Sequence, residues 1–271
     1  MPLPLGEFRS LANKASLLRK AGYEAADNDS TVTIASIFNA GIFARGGVLV
    51  GSHAFGAILN NLGVRPAKNY VTTDFDIGAA RISVGLTDER GLLEVLRDSG
   101  LRFLEVPEFD HRKPSTSFKV KGKPLKVDLL VDGTMKYESL PVPSLKAWAT
   151  GLPFFGYLVG EQVLGVVIGR DHVVPVRLPH PARFALHKLI VSTLRVATSA
   201  AKSEKDILQS VTVIETLLDR APQDLEDAAA HLDASARPRV ATAAKRALNH
   251  PQRYPVNEQT HDYLEALAAQ A

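Results

Sequence analysis

Apolar positions change their period several times along this chain of 271 residues, and the changes divide it. Residues 7–21 and 31–43 carry the three-to-four-residue repeat of amphipathic helices. In the second, Ile34, Ile37, Phe38 and Ile42 form one apolar face, and Asp29 or Ser30 is the expected N-cap. Gly46-Gly47 ends that repeat. Val48-Leu49-Val50 follows as a short, wholly apolar strand of the buried kind, and Gly51-Ser52 turns it into a helix over 53–62. A basic loop at 65–70 precedes a strand around Asp74-Phe75-Asp76, which continues into or is followed by 81–86. The pattern then predicts a helix from an Asp88 cap to Gly100, with Leu92, Leu93, Val95 and Leu96 inward, and strands at 102–106, 115–120 and 125–131. Lys121-Gly122-Lys123-Pro124 is the turn between the last two. A short helix is expected at 143–150, then two or three strands between Tyr157 and Val176 broken at Gly165 and Gly169. Beyond Pro181 the helical period takes over, at 181–200, 204–220, 222–231, 235–248 and 257–269.

Strands alternating with helices, then strands in antiparallel succession, argue an α/β (α+β) fold: a mixed sheet covered by helices, with a helical C-terminal part. The expected divisions are N-terminal helices over 1–45, a sheet domain over 46–178 and a helical domain over 179–271. Composition adds little to this picture. Hydrophobic residues make up 45%, enough for a real core. The formal net charge of +3 is compatible with a nucleotide or nucleic-acid partner without requiring one. The absence of cysteine excludes disulfides, iron–sulfur clusters and thiol catalysis. The start lacks the basic and apolar segments of a signal peptide, and the apolar region 154–168 is too short to span a bilayer and contains Glu161. A cytoplasmic location without membrane contact is the expectation.

Candidate chemistry centres on three aspartates. Successive side chains of a strand alternate faces, so Asp74 and Asp76 share one face while Phe75 takes the other. Two carboxylates together suit a hard cation such as Mg²⁺, which prefers oxygen ligands and brings phosphates with it. Asp128, in the apolar strand Lys126-Val127-Asp128-Leu129-Leu130, would complete a set for two ions. The plain alternative is a solvated strand end. The Gly51-Ser52 junction between strand and helix offers unpaired N–H groups and a hydroxyl to an anion. From Arg112 to Val127 six cations and no acid occur, fit for RNA or a triphosphate or for a solvated hairpin. Trp148, Phe154, Phe155 and Tyr157 read as core packing, with a base pocket as the alternative. The eight histidines show no zinc spacing, and no Gly-x-Ser-x-Gly or phosphate-loop motif is present.

With Val48-Leu-Val-Gly-Ser52, Thr73-Asp-Phe-Asp-Ile77 and Lys126-Val-Asp-Leu-Leu130 in this order, the chain resembles the nucleotidyltransferase superfamily that shares the palm of DNA polymerase beta. The resemblance covers about residues 46–132. It implies that Gly51 and Ser52 contact nucleotide phosphates, that Asp74 and Asp76 hold Mg²⁺ (Mn²⁺ being possible), and that Asp128 binds metal or activates the attacking hydroxyl. His53 gains no role from it. A second stretch, Pro181-Ala-Arg-Phe-Ala-Leu-His-Lys-Leu-Ile190 with Arg195 and Lys205-Asp206-Ile-Leu208, is similar to stand-alone bacterial nucleotidyltransferases, including a toxin-like branch paired with antitoxins. By that likeness Lys188 reaches the triphosphate and Asp206 orients it; Gln209-Ser210 departs from the branch's usual Asp-Leu. Lys188 and Arg195 lie two helical turns apart and so share a helix face.

The function these likenesses imply is Mg²⁺-dependent transfer of a nucleoside monophosphate from an NTP, ATP among them, to an acceptor hydroxyl. The acceptor is left open between RNA (such as tRNA), protein and a small molecule, with an antitoxin-like protein as a possible partner. A metal-dependent sugar transferase would account for Asp74 and Asp76 but not for Gly51-Ser52 and Asp128. A non-catalytic nucleotide-binding module of the same fold is the other reading.

Overall fold

The computed structural model describes residues 5–65, 74–79, 90–108, 110, 112–135, 137–195 and 199–270, with the backbone alone at 5–11 and 74–79. It divides into two compact units, Met1–Pro179 and His180–Ala271.

The first unit opens with α1 (Leu5–Lys20) and α2 (Asn28–Asn39). Asp27, not Asp29 or Ser30, caps α2: its backbone is extended, and Oδ1 accepts the Ser30 N–H at 3.0 Å. Because α2 stops at Asn39, Phe38 falls at its end and is largely exposed, while Ile34, Ile37 and Ile42 are buried. Next come β1 (Gly47–Val50), buried at every position, α3 (Gly51–Asn61) and β2 (Asp74–Ala79). Helix α4 (Leu92–Arg97) starts from Gly91, whose N–H is taken by Glu94 at 3.1 Å; the expected Asp88 cap, the strand at 81–86 and most of the basic loop at 65–70 lie outside the described residues. Strands β3 (Phe103–Glu105), β4 (Ser117–Val120) and β5 (Lys126–Asp132) follow as expected.

Around 139–152 the chain departs from expectation. Instead of a helix, β6 (Ser139–Val142) and β7 (Ala147–Leu152) form an antiparallel pair joined through a single 3-10 turn at Pro143–Leu145. Proline suits the first position of a helix, but Lys146 takes a left-handed φ of 44° and stops the turn. Strand β5 then recruits β7 as a parallel partner, outweighing local preference. Helix α5 (Phe155–Val159) precedes the hairpin of β8 (Gln162–Ile168) and β9 (Val173–Pro179). Gly165 does not break β8. It pairs with Val176, and a side chain there would run into Leu178.

Among the described residues the main sheet has seven strands, ordered β1-β2-β5-β4-β3 with β7 bonded to both β5 and β6. Strand β5 is its centre. The parallel strand β2 takes one edge; β4 takes the other at 126–128, antiparallel, and β7 takes that same edge at 130–132. The sheet has two distinct faces. Phe118, Val127, Leu129 and Ala149 are buried on one, whereas Lys126, Asp128, Leu130 and Thr150 are half-buried and Trp148 is exposed on the other. The β8–β9 hairpin packs on α3 and β1.

The second unit is helical: α6 (Pro181–Leu194), α7 (Ala200–Arg220), α8 (Pro222–Ala230), α9 (Arg237–Leu248) and α10 (Glu258–Ala268). Prolines at the starts of α6, α8 and α9 and the Asn257 cap of α10, which accepts Thr260 N–H at 2.8 Å, mark the boundaries the sequence announces. No helix among the described residues is long and apolar enough to cross a membrane.

Candidate active site

Strand β1 ends at Val50, and the chain turns at once into α3 through Gly51, whose φ of +74° suits a residue without a side chain. Val50 has no polar group with which to cap the helix. The first turn of α3 therefore ends in backbone N–H groups and the positive pole of the helix, with the half-buried Ser52 beside them. Along the same helix a small, partly open cleft runs past Ser52, His53 and Gly56, opposite Glu24, Asp27 and Val167. Asn60 fixes the Glu24 backbone there, accepting its N–H and donating to its carbonyl, both at 2.9 Å. Burial pushes the Glu24 carboxyl up. Burial also pushes Asp27 up, but hydrogen bonds from Ser30 and the charge of His53 outweigh it and hold that carboxyl below its ordinary value.

Sheet register brings the predicted acidic positions together. Val50 pairs with position 76 of β2, position 76 pairs with Asp128 of β5, and Asp128 pairs with Ser117 of β4. Position 74 pairs with Lys126. Strand neighbours lie about 4.8 Å apart, so 74, 76 and 128 occupy one compact patch of backbone at the end of β1. Asp128 Oδ1 accepts from Ser117 Oγ at 2.5 Å and lies 2.7 Å from the Lys126 ammonium, with about a quarter of the side chain exposed. Ser117 is the polar contact that motif reading alone misses. Counting outward from the turn at 121–124 finds it, since Val120 bonds to Leu125 across that turn and 117 then falls opposite 128.

Lys188 and Asp206 are also brought together, within the helical unit. Lys188 Nζ is 2.7 Å from Asp206 Oδ1, and Arg195 Nε donates to Oδ2 at 3.0 Å. Both cations converge on one carboxylate, although α6 stops at Leu194, short of the expected residue 200, and Arg195 stands past its last turn with an extended backbone. Lys188 is no edge lysine: only 11% of its side chain is exposed, and its ammonium stands 5.4 Å from the Phe184 ring centre. Burial raises the Asp206 pKa, but the two cations overcome it and hold it below the ordinary value. His187, fully buried, is pushed down to about 3, by desolvation first and then by the charge of Lys188. Trp148 is not core: it is 40% exposed, whereas Phe155 is buried.

A family model for nucleotidyltransferases matches residues 28–233, and the chain belongs to that family. No curated protein matches it. Among solved structures it is similar to an antigenic nucleotidyltransferase-like protein from Paracoccidioides brasiliensis, at 15% identity over 80% of this chain and 92% of that one, with a TM-score of 0.40.

Proposed function

We propose that the chain transfers a nucleoside monophosphate from an NTP to an acceptor hydroxyl and releases pyrophosphate, with Mg²⁺ or Mn²⁺ as cofactor. The observation that carries this reading is the register row Val50–Asp76–Asp128, which sets two of the three acidic positions side by side where β1 turns into α3. Backbone N–H groups at Gly51 and the Ser52 hydroxyl take the phosphates, since a helix start favours an anion. Asp74, Asp76 and Asp128 would hold the ion. Their chemistry fits it: all three offer hard oxygen donors, and an Asp128 oxygen already has a cation, the Lys126 ammonium, at 2.7 Å. When bound, the ion supplies charge neutralisation on the phosphates. Asp128 faces the attacking hydroxyl and receives its proton as the acceptor oxygen bonds to the α-phosphorus and the bond to pyrophosphate breaks. Ser117 keeps the Asp128 carboxylate in place for this.

The test is incubation of the chain with each α-labelled NTP, Mg²⁺, total RNA and a cell lysate. Label should appear on a macromolecular or small-molecule acceptor with wild type and vanish with Asp74→Asn and Asp76→Asn. Label transfer within tenfold of wild type in both variants would remove the metal assignment.

A further inference from the structure

Trp148 is the only tryptophan of the chain, and it stands on the face of the sheet that carries Asp128. The alternation of β7 shows this. Ala149 and Gly151 are buried, whereas Thr150 is half-buried and Trp148 is 40% exposed. Thr150 pairs with Leu130, two residues beyond Asp128, so Trp148 and Asp128 lie on one face, on the order of 10 Å apart at ordinary strand spacing. The platform is held on both sides. Pro141 of β6 is the register partner of Trp148, and Thr150 Oγ1 bonds to Thr116 Oγ1 at 2.9 Å, next to the Ser117 that holds Asp128. The same face carries cations: Lys119 of β4, exposed, is in register with Lys126 of β5. An indole, two lysines and a carboxylate on one rigid surface match a ligand with a flat π-system and a phosphate backbone.

Direction selects which substrate lies there. Phosphoryl transfer runs in line, with attacking and leaving oxygens on opposite sides of the phosphorus. The phosphate-binding turn at Gly51-Ser52 follows β1, and the sheet runs from β1 through β2 and β5 to β7. With pyrophosphate leaving toward the β1 end, the attacking hydroxyl enters from the side of β5 and β7. We propose that the acceptor is single-stranded RNA and that Trp148 stacks one of its bases while Lys119 takes backbone phosphate. The inference deepens the nucleotidyl-transfer reading and rests on it for the direction of entry.

Because Trp148 is the sole tryptophan, its fluorescence reports this contact without chemistry. Titrating the full chain with a short unlabelled oligoribonucleotide in Mg²⁺ should quench it saturably, and Asp76→Asn protein, inactive in transfer, should quench equally. NTPs alone should leave it unchanged. Trp148→Ala, checked for folding by circular dichroism, should raise the Kd for a labelled oligoribonucleotide about tenfold, the ordinary weight of one stacked base. The KM for NTP should stay within about twofold, and Trp148→Phe should restore most of the RNA affinity. Quenching by NTP alone would assign Trp148 to the donor base and overturn the proposal, as would an indifferent signal with RNA. Label transfer to protein with no RNA quenching would leave the transferase reading standing and this inference fallen. RNA quenching without any label transfer would remove the transferase reading and, with it, the acceptor role proposed for the RNA.

Discussion

Two lysine–aspartate pairs in this chain have the same length and opposite meanings. Lys126–Asp128 in the sheet unit and Lys188–Asp206 in the helical unit both measure 2.7 Å. In the first, 35% and 24% of the two side chains are exposed; in the second, 11% and 4%. Water screens the first pair and makes it weak and exchangeable, so another cation can compete for the carboxylate. The second has lost its water, and each charge depends on its partners, Arg195 included. Distance alone does not separate a carboxylate open to solvent from one sealed between two helices; exposure does.

The largest expected effect is on stability. Asp206→Asn leaves Lys188 and Arg195 facing each other without the carboxylate between them, and should destabilise the protein by about 3–5 kcal/mol in urea unfolding. Asp128→Asn should cost less than about 1 kcal/mol. Equal losses in the two variants would erase the distinction between the pairs.

Acid titration sharpens it further. His187 is neutral in the fold, its pKa lowered from 6.5 to about 3 by burial, so as pH falls below 6.5 the unfolded chain takes up the proton first. Stability should therefore decline from about pH 6.5 toward pH 3, with roughly 2 kcal/mol from this residue gone by pH 5. Asp206 acts lower: its contribution is complete above 3.8 and is lost as pH falls through its lowered folded value. His187→Gln should flatten the slope between pH 6.5 and 4 and leave the more acidic Asp206 step in place. An unchanged slope would mean that His187 gains a proton within the fold.

What was legible follows the range of the forces involved. The helical unit announced itself through period, caps and prolines, all local. Strand β1, apolar at every position, and β5, with Asp128 between buried neighbours, were equally plain. Strand β7 was not, because Pro143 reads as a helix start and only pairing with β5 and β6 makes 147–152 a strand. That misreading also hid Trp148, which is exposed because it alternates with Ala149 rather than joining a helix face. The aspartates could be chosen by type and strand position, but the pairing of 76 with 128 depends on a parallel contact between segments far apart in the chain. The depth of Lys188 was invisible for a related reason. Helix α6 is buried at Ala185, His187, Leu189 and Ile190, so no open side remains for a lysine at its midst.

The smallest effect on stability, and the most informative for the sheet site, belongs to Lys126. Lys126→Ala removes a partly exposed partner from a partly exposed carboxylate, so unfolding should shift by less than about 1 kcal/mol. Its consequence lies in cation binding. The ammonium lies at the Asp128 oxygen where a divalent ion would seek a ligand, and Lys126 is also the register partner of position 74. Removing a positive charge from that patch strengthens its attraction for another cation. Mn²⁺ affinity, followed by the paramagnetic enhancement of water proton relaxation, should rise in Lys126→Ala and fall in Asp128→Asn. Ser117 still donates to Asp128 in the lysine variant, so the carboxylate keeps its orientation. Weaker Mn²⁺ binding in Lys126→Ala would show instead that the ammonium positions Asp128, and the two lysine–aspartate pairs would then differ in strength but not in kind.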